Sequence, residues 1–586
     1  MTSSPTPSGV RRAACGKTAT RPRGLVASFL LLGVALSACA GDDGVTSPSA
    51  HSDRESEDQQ SQEAEAERER EEARRAYEQA LAGPSDEHRA QAAELVGQMS
   101  VEQKAGQVLI GEYSGTDAAS AAALVEQLHL GGMILMGHNI PGGTSSVDTE
   151  ALAADLQTIA AAGGEDRLVP PILSVDQEGG LVTRVGSPVT EWPAPMAYGA
   201  ADDATLTRQG HQLMAQDLLE LGFTTSFAPN ADVTVGAADP TIGSRSFGSQ
   251  PEAVAQLALA GIRGLAEGGL SGSVKHFPGH GSVTEDSHYT LPVQEASLEQ
   301  LRERDWAPFA AAVEAGVPMV MMGHLEVPAL EEGVASSLSA AAYEEIRSMG
   351  HDGVIVTDAM NMAATVGGGD QASVRALAAG ADLLLMPPSV PGAYAALVQA
   401  VESGELSEDR LNEAAERVVA LVLWQQDLAS GRLDAGPGVE VPEMLAEELP
   451  AEDADPAATA LALSQAGLTL VEGECEAPLV DEAMQIAGGT EQDRARLAAA
   501  AEEAGLQVGW GPTVTLLGGS TPASGDIVVA LDRPEALADS AGQTKLALYG
   551  RTPESFQALV EVLQGAEAPG ALPVTVGEHQ PGHSRC

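Results

Sequence analysis

Basic residues are scarce in this 586-residue chain: 31 Lys and Arg stand against 84 Asp and Glu, a formal net charge of −53. A nucleic-acid binder working through a cationic face is thereby excluded, because phosphate recognition needs clustered Lys and Arg. Aromatic residues make up only 3%, so a core must be assembled mainly from Ala, Leu, Val and Ile. Four cysteines are too few for a disulfide framework over this length, and no Cys-x-x-Cys or Cys/His cluster suggests a structural metal. No Gly-x-Gly-x-x-Gly follows a strand pattern at the right place and no Walker motif occurs, so no metal and no cofactor is expected. The hydrophobic fraction of 44% and a mean hydropathy near zero exclude a disordered chain and a polytopic membrane protein.

What is present begins at the N-terminus. Arg21 and Arg23 precede an apolar run over 25–36, about half of what a bilayer span requires, and Ser37, Ala38 and Cys39 follow it. That order marks a secretory signal. Leu36-Ser37-Ala38-Cys39 resembles the lipobox of bacterial lipoproteins, which implies acylation of Cys39 and an extracytoplasmic, lipid-anchored protein that meets the membrane only through that anchor. A plain signal peptide cut nearby is the alternative. The signal segment is read over 1–39; its cleavage removes Cys15, Cys39 once acylated becomes the new N-terminus, and Cys475 and Cys586 remain as a possible disulfide pair whose bonding the sequence leaves open. Residues 40–90 include the run Glu63-Ala64-Glu65-Ala66-Glu67-Arg68-Glu69-Arg70-Glu71, with Glu/Arg pairs at helical spacing but no apolar stripe. They read as an acidic tether, disordered or helical.

From 91 to 430 short apolar runs alternate with Ala/Leu/Glu-rich stretches of helical period. The runs fall at 107–111, 132–136, 171–175, 224–228, 272–275, 318–322, 353–357 and 382–386, and 203–221, 251–267 and 298–315 are helical stretches between them. Eight such units predict an α/β fold of (β/α)8, TIM-barrel type, with a Rossmann-like open sheet as second choice. Barrel enzymes collect their active groups at the C-terminal ends of the strands, and polar residues recur at that end here. Asp176-Gln177-Glu178-Gly179-Gly180 and Arg184 follow the third run, and Asn230 and Arg245 the fourth. Lys275-His276-Phe277-Pro278-Gly279-His280-Gly281 and Asp286-Ser287-His288 close the fifth, His324 the sixth, and Asp358-Ala359-Met360 the seventh. Taken singly, such an Asp is most often a helix N-cap, Arg245 a surface ion pair and His324 a satisfied buried histidine. Taken together they suit hydrolysis of a polar substrate through a covalent intermediate. Retaining glycosidases need a carboxylate nucleophile and a proton donor, and Asp358, closing a buried run, suits the rigid member. Glycines around Pro278, His280 and Ser282 suggest a loop that closes over substrate.

Residues 275–281, 286–288 and Gly353-Val354-Ile355-Val356-Thr357-Asp358-Ala359-Met360 resemble the family 3 glycoside hydrolases, in the branch of bacterial β-N-acetylglucosaminidases. The likeness runs from Leu95-Val96-Gly97-Gln98-Met99-Ser100 to about Leu428. Ala547-Leu548-Tyr549-Gly550-Arg551-Thr552-Pro553 and Leu572-Pro573-Val574-Thr575-Val576 are similar to the family's second, α/β sandwich domain, expected over 457–586 after a linker at 431–456. The resemblance implies an exo-acting, retaining enzyme in which Asp358 is the nucleophile, His288 the general acid/base and Asp286 its partner. Asp176, Arg184, Arg245, Lys275 and His276 would hold the N-acetylglucosamine unit. An imidazole with an ordinary pKa near 6.5 can donate and recover a proton around neutrality, and a carboxylate two residues away in an extended loop projects to the same side. The implied substrate is a carbohydrate, N-acetylglucosamine-containing peptidoglycan fragments or chitooligosaccharides, and the implied state a monomer. A phosphorylase or β-glucosidase of the same fold and a non-catalytic, surface-anchored sugar-binding protein are the alternatives. Within the second domain, 457–466 reads as a helix and 467–471, 514–517, 527–531, 545–549 and 572–576 as strands, with Gly509-Trp510-Gly511 as a loop. No catalytic constellation is visible there, so this domain is expected to scaffold the barrel or contact cell wall.

Overall fold

Strands form at each of the eight apolar runs, the fifth giving two short ones, Ser271–Gly272 and Val274–Phe277. The computed structural model describes residues 49–164, 167–430, 454–475 and 478–586, with side chains from 64 onward. One parallel sheet runs in the order Leu384–Leu385, Leu109–Gly111, Gly132–Leu135, Ile172–Val175, Thr225–Ser226, Ser271–Gly272. A second arc runs Val354–Thr357, Met319–Met322, Val274–Phe277. Parallel bridges from Asn230 to Lys275 and from Val356 to Leu383 link the arcs, giving a curled parallel sheet. Every residue in these strands is buried, as parallel strands covered on both faces must be, which is why they read as unbroken apolar runs.

The intervening helices are set by local signals. Asp203 caps Ala204–Leu221 by accepting from the amides of Thr205 and Leu206 at 2.9 and 3.0 Å, and Gly222 ends it with φ 107°. The stretch expected as one helix over 298–315 is two, Leu298–Glu303 and Ala307–Glu314. Pro308 accounts for the break, since its ring is tolerated in a helix's first turn and not in its interior.

At the N-terminal end of the last strand, buried Asp382 accepts from the Ile355 amide at 3.0 Å and from Arg410 and Arg417 at 2.9 and 3.1 Å, and Arg347 also pairs with it. Groups at that end of a parallel barrel-like sheet serve stability rather than chemistry.

A five-stranded sheet follows, in the order Thr469–Glu472, Thr544–Ala547, Ile527–Ala530, Gln507–Leu517, Ala483–Gly488, parallel except for the first pair. Helices Pro456–Gly467, Glu491–Glu503 and Pro553–Leu563 accompany it. Two expectations are corrected here. Gly509-Trp510-Gly511 lies within the strand Gln507–Leu517 rather than in a loop. Residues 572–576 form no strand, because Pro573 has no amide to donate to a ladder; Leu572, Val574 and Val576 are instead buried beside Met196, Ala197 and Ala200. Cys475 and Cys586 are disulfide-bonded, with Cα atoms 5.6 Å apart, which answers the question the sequence left open.

The expected tether also needs correction. Its charged run falls in the helix Ser49–Ala82, whose last turns are not solvated: Tyr77 and Leu81 are buried, and Glu78 meets Arg208 at 2.8 Å. Two apolar residues four apart suffice to dock a helix end although they make no visible stripe. The signal segment with Cys39 and most of the 431–456 linker lie outside the described residues. Among the described residues no helix is long and apolar enough to cross a membrane.

Candidate active site

The C-terminal ends of the curled strands bring a buried ion cluster together. Ile172–Val175 delivers Asp176 and leads into the short strand Gln177–Gly179, whose middle residue, Glu178, is buried. Arg245 donates to both oxygens of Glu178, Nε to Oε2 at 2.9 Å and Nη2 to Oε1 at 2.8 Å. Lys275 Nζ lies 2.6 Å from Glu178 Oε1 and donates to Asp176 Oδ1 at 3.0 Å. Burial alone would raise the Glu178 carboxyl, but Arg245 and Lys275 outweigh it and hold it far below the usual carboxylate range. Burial alone would likewise depress the Lys275 ammonium, and Asp176 and Glu178 keep it above its ordinary value. Two residues expected at the site, Arg245 and Lys275, therefore meet through Glu178, which sequence reasoning did not single out, and Asp176 joins them through Lys275.

A second buried carboxylate orders the histidines. Asp232 accepts from His276 Nδ1 at 2.7 Å and from the His280 amide at 2.6 Å. An ionised carboxylate only accepts, so Nδ1 of His276 carries the proton and Nε2 is left for another partner. His280 Nε2 in turn pairs with the Oγ of buried Ser287 at 2.8 Å, tying down the middle of the Asp286-Ser287-His288 loop. On either side of that anchor Asp286 and His288 face outward and pair with one another, Nδ1 to Oδ1 at 2.7 Å, with 58% of the His288 side chain exposed. Burial alone would raise the Asp286 carboxyl; the His288 amide and ring outweigh it and hold it low.

Glycines 279 and 281 serve close approach rather than looseness, contrary to the expectation of a closing loop there. Gly279 has φ 106°, and a Cβ on it would stand 2.6 Å from Cβ of Asp305; one on Gly281 would stand 2.6 Å from the Val233 carbonyl. His280 between them is buried, so the exposed part of this segment is confined to the residues around Asp286 and His288.

Asp358 ends Val354–Thr357 and is half-buried. Burial pushes its carboxyl up, but His276 and His324, the Ala359 amide donating to Oδ1 at 2.7 Å, and Lys275 bring it down to about 2. No hydrogen bond is made to Oδ2 among the described residues. His324 is buried with both nitrogens partnered, by Ser337 Oγ at 2.7 Å and the Ala359 carbonyl at 3.0 Å, and so supports the backbone next to Asp358. Arg184 is held through its amide by Gln177 Oε1 at 2.8 Å, while its buried Nε has no partner among the described residues. The arrangement offers an ionised carboxylate with one free oxygen, two donors open to a further partner in Arg184 Nε and His276 Nε2, and an exposed pair of His288 with Asp286.

A parallel curled sheet with such strand-end groups suits an enzyme acting on a polar substrate, and comparison with known proteins gives the class. The glycosyl hydrolase family 3 N-terminal domain matches residues 97–421, more than half of the chain, and the chain belongs to that family: it is a glycoside hydrolase. Beta-hexosaminidase LpqI of Mycobacterium tuberculosis is 35% identical over 356 residues, covering 58% of this chain and 87% of that protein. A family 3 beta-N-acetylglucosaminidase structure from Paenibacillus sp. str. FPU-7 superposes with a TM-score of 0.69 at 28% identity, covering 81% of this chain and 98% of the other. A beta-N-acetylglucosaminidase/beta-glucosidase of Cellulomonas fimi is 28% identical over 393 residues, 65% of this chain and 66% of that one.

Replacing Glu178 by Gln leaves Lys275 and Arg245 facing each other without their shared anion. The expected cost is about 3 kcal/mol in urea-melt stability, together with at least a tenfold loss of kcat/KM. A variant as stable and active as the parent contradicts the cluster's role. Asp305, packed under Gly279, is a further test of electrostatics. Burial raises its carboxyl to about 6, only partly offset by Ser282 and Arg304. A carboxyl raised on folding contributes stability fully below its unfolded pKa and loses it as pH rises from about 4 to 6. Asp305→Asn should therefore gain roughly 2–3 kcal/mol at pH 7.5 and almost nothing at pH 4. Equal changes in Tm at both values contradict the reading.

Proposed function

We propose that this chain is an exo-acting, retaining β-N-acetylglucosaminidase, built on a closed (β/α)8 barrel followed by a smaller α/β sandwich domain. The ring of parallel pairings that returns from Val356 to Leu383 and on to Leu109–Gly111 supports closure. The names of the mycobacterial and Paenibacillus relatives support the sugar. The observation that carries the chemistry is the contrast among carboxylates. Glu178 and Asp176 are engaged by Lys275 and Arg245, whereas Asp358 is ionised with a free Oδ2. In this reading Asp358 Oδ2 attacks the anomeric carbon while His288 gives a proton to the leaving glycosidic oxygen. A water then attacks the glycosyl-Asp358 ester as His288 takes its proton back, releasing the sugar and restoring both groups. Asp286 orients the ring by accepting from Nδ1. Asp176, Arg184, Arg245, Lys275 and His276 hold the sugar hydroxyls and the acetamido group.

The substrates proposed are peptidoglycan fragments or chitooligosaccharides, met outside the cytoplasm by a monomeric enzyme anchored through Cys39. The Cys475–Cys586 disulfide supports an oxidising compartment. The Cellulomonas relative's name includes beta-glucosidase, so glucoside turnover is one reading to separate, and a phosphorolytic second step is the other.

Turnover of an aryl N-acetyl-β-glucosaminide and an aryl β-glucoside, each with and without phosphate, tests this. The N-acetylated substrate should be hydrolysed at least tenfold faster, without dependence on phosphate, and Asp358→Asn should lose at least a thousandfold. Phosphate-dependent turnover, preference for the glucoside, or an active Asp358→Asn variant overturns the proposal.

A further inference from the structure

We infer that the C-terminal part of the chain takes part in substrate binding through Arg245: Arg533, which follows the strand Ile527–Ala530, is a positioning residue that clamps the loop presenting Arg245. This rests on the reading above in which Arg245 contacts the bound sugar.

The loop runs from Asp232 to Ser249. Its inner turn is self-organised by Asp239, a fully buried carboxylate that accepts from the amides of Thr241, Ile242 and Gly243 at 3.0, 2.9 and 3.0 Å and from the Thr234 hydroxyl at 2.8 Å. That turn feeds straight into the single helical turn Gly243–Arg245. The outer side of the same turn is held from the other domain. Arg533 Nη1 donates to the Asp239 carbonyl at 2.7 Å, and Nη2 donates to the Gly236 carbonyl at 2.9 Å. The guanidinium also lies against Gly243, where an added Cβ would stand 3.2 to 3.3 Å from Cδ, Nε and Nη1 of Arg533. Glu535, 3.5 Å away, faces Arg533 with its own side chain nearly buried.

The far shoulder of the loop is gripped as well. The Ser249 amide donates to the Pro573 carbonyl at 3.0 Å, and a Cβ on Gly248 would stand 2.8 Å from that oxygen. Arg245 thus stands between two points at which the second domain holds its loop. Its guanidinium must meet both oxygens of Glu178 at once, and a planar two-point contact of this kind tolerates little displacement. A shift of about 1 Å in the loop breaks one of the two bonds and moves the donors offered to the sugar. Contacts that merely docked two domains would not converge on the flanks of one ligand-facing residue.

The test is a double-mutant cycle read in KM and kcat on the aryl N-acetyl-β-glucosaminide. Arg533→Met should raise KM about tenfold while kcat changes less than twofold. Arg533→Lys, which keeps the charge but reaches only one carbonyl well, should fall between the two. In an Arg245→Ala background Arg533→Met should add less than twofold. A tenfold increase that persists in that background, or a Tm loss with KM unchanged, overturns the clamp. Arg245→Ala with an unchanged KM overturns the sugar-contact reading and the clamp with it. A raised KM in Arg245→Ala beside a normal Arg533→Met overturns the clamp alone.

Discussion

Glu178 has been taken out of water and wrapped by Lys275 and Arg245, and the rest of the site is arranged around that fact. A buried carboxylate is tolerable only when its charge is matched and its lone pairs are filled, and the paired oxygens of Glu178 are filled by a bidentate guanidinium and an ammonium. The anion fixes two cations that would repel each other if brought equally close without it. Once fixed, Lys275 also reaches Asp176 and helps to lower Asp358. Asp176 shares Lys275 directly, whereas Asp358 is lowered to about 2 against the effect of burial and keeps an oxygen free. A chain with so few basic residues places two of them on one acid, which is consistent with an acidic exterior that serves solvation.

The same chemistry appears at the opposite end of the curled sheet with a different outcome. Asp382 is ringed by Arg347, Arg410 and Arg417 and also takes the Ile355 amide, so its lone pairs are used by groups that fix helices to strands. Glu178 and Asp382 are equally buried ion clusters. What separates them is the end of the strand they occupy and whether an unsatisfied acid, Asp358, stands beside them.

Much of this was legible in the sequence for reasons that are physical. Parallel strands covered on both faces have no polar side, so eight short apolar runs announced them, and the polar groups at their C-terminal ends stood out against that background. The partners of those groups were not legible. Glu178 lies within Asp176-Gln177-Glu178-Gly179-Gly180, but its importance depends on Arg245, 67 positions away, and nothing local records that distance. Asp232 and Ser287 were hidden in the same way, since each acts through a contact with His276 or His280. Glycines misled because a close approach and a flexible hinge leave the same letter: Gly279 and Gly281 are tight against Asp305 and Val233. Tyr77 and Leu81 were too few to make a stripe, and residues 572–576 alternated like a strand while Pro573 denied them a ladder.

The central claim is that one carboxylate, Asp358, is left free to form a bond with the sugar while its neighbours are neutralised. Peptide mapping by mass spectrometry after reaction with a 5-fluoro-N-acetylglucosaminyl fluoride, which slows breakdown of a glycosyl-enzyme, addresses it most directly. The account predicts a stoichiometric glycosyl label on the peptide that carries Asp358. A label on Asp176 or Glu178 contradicts it.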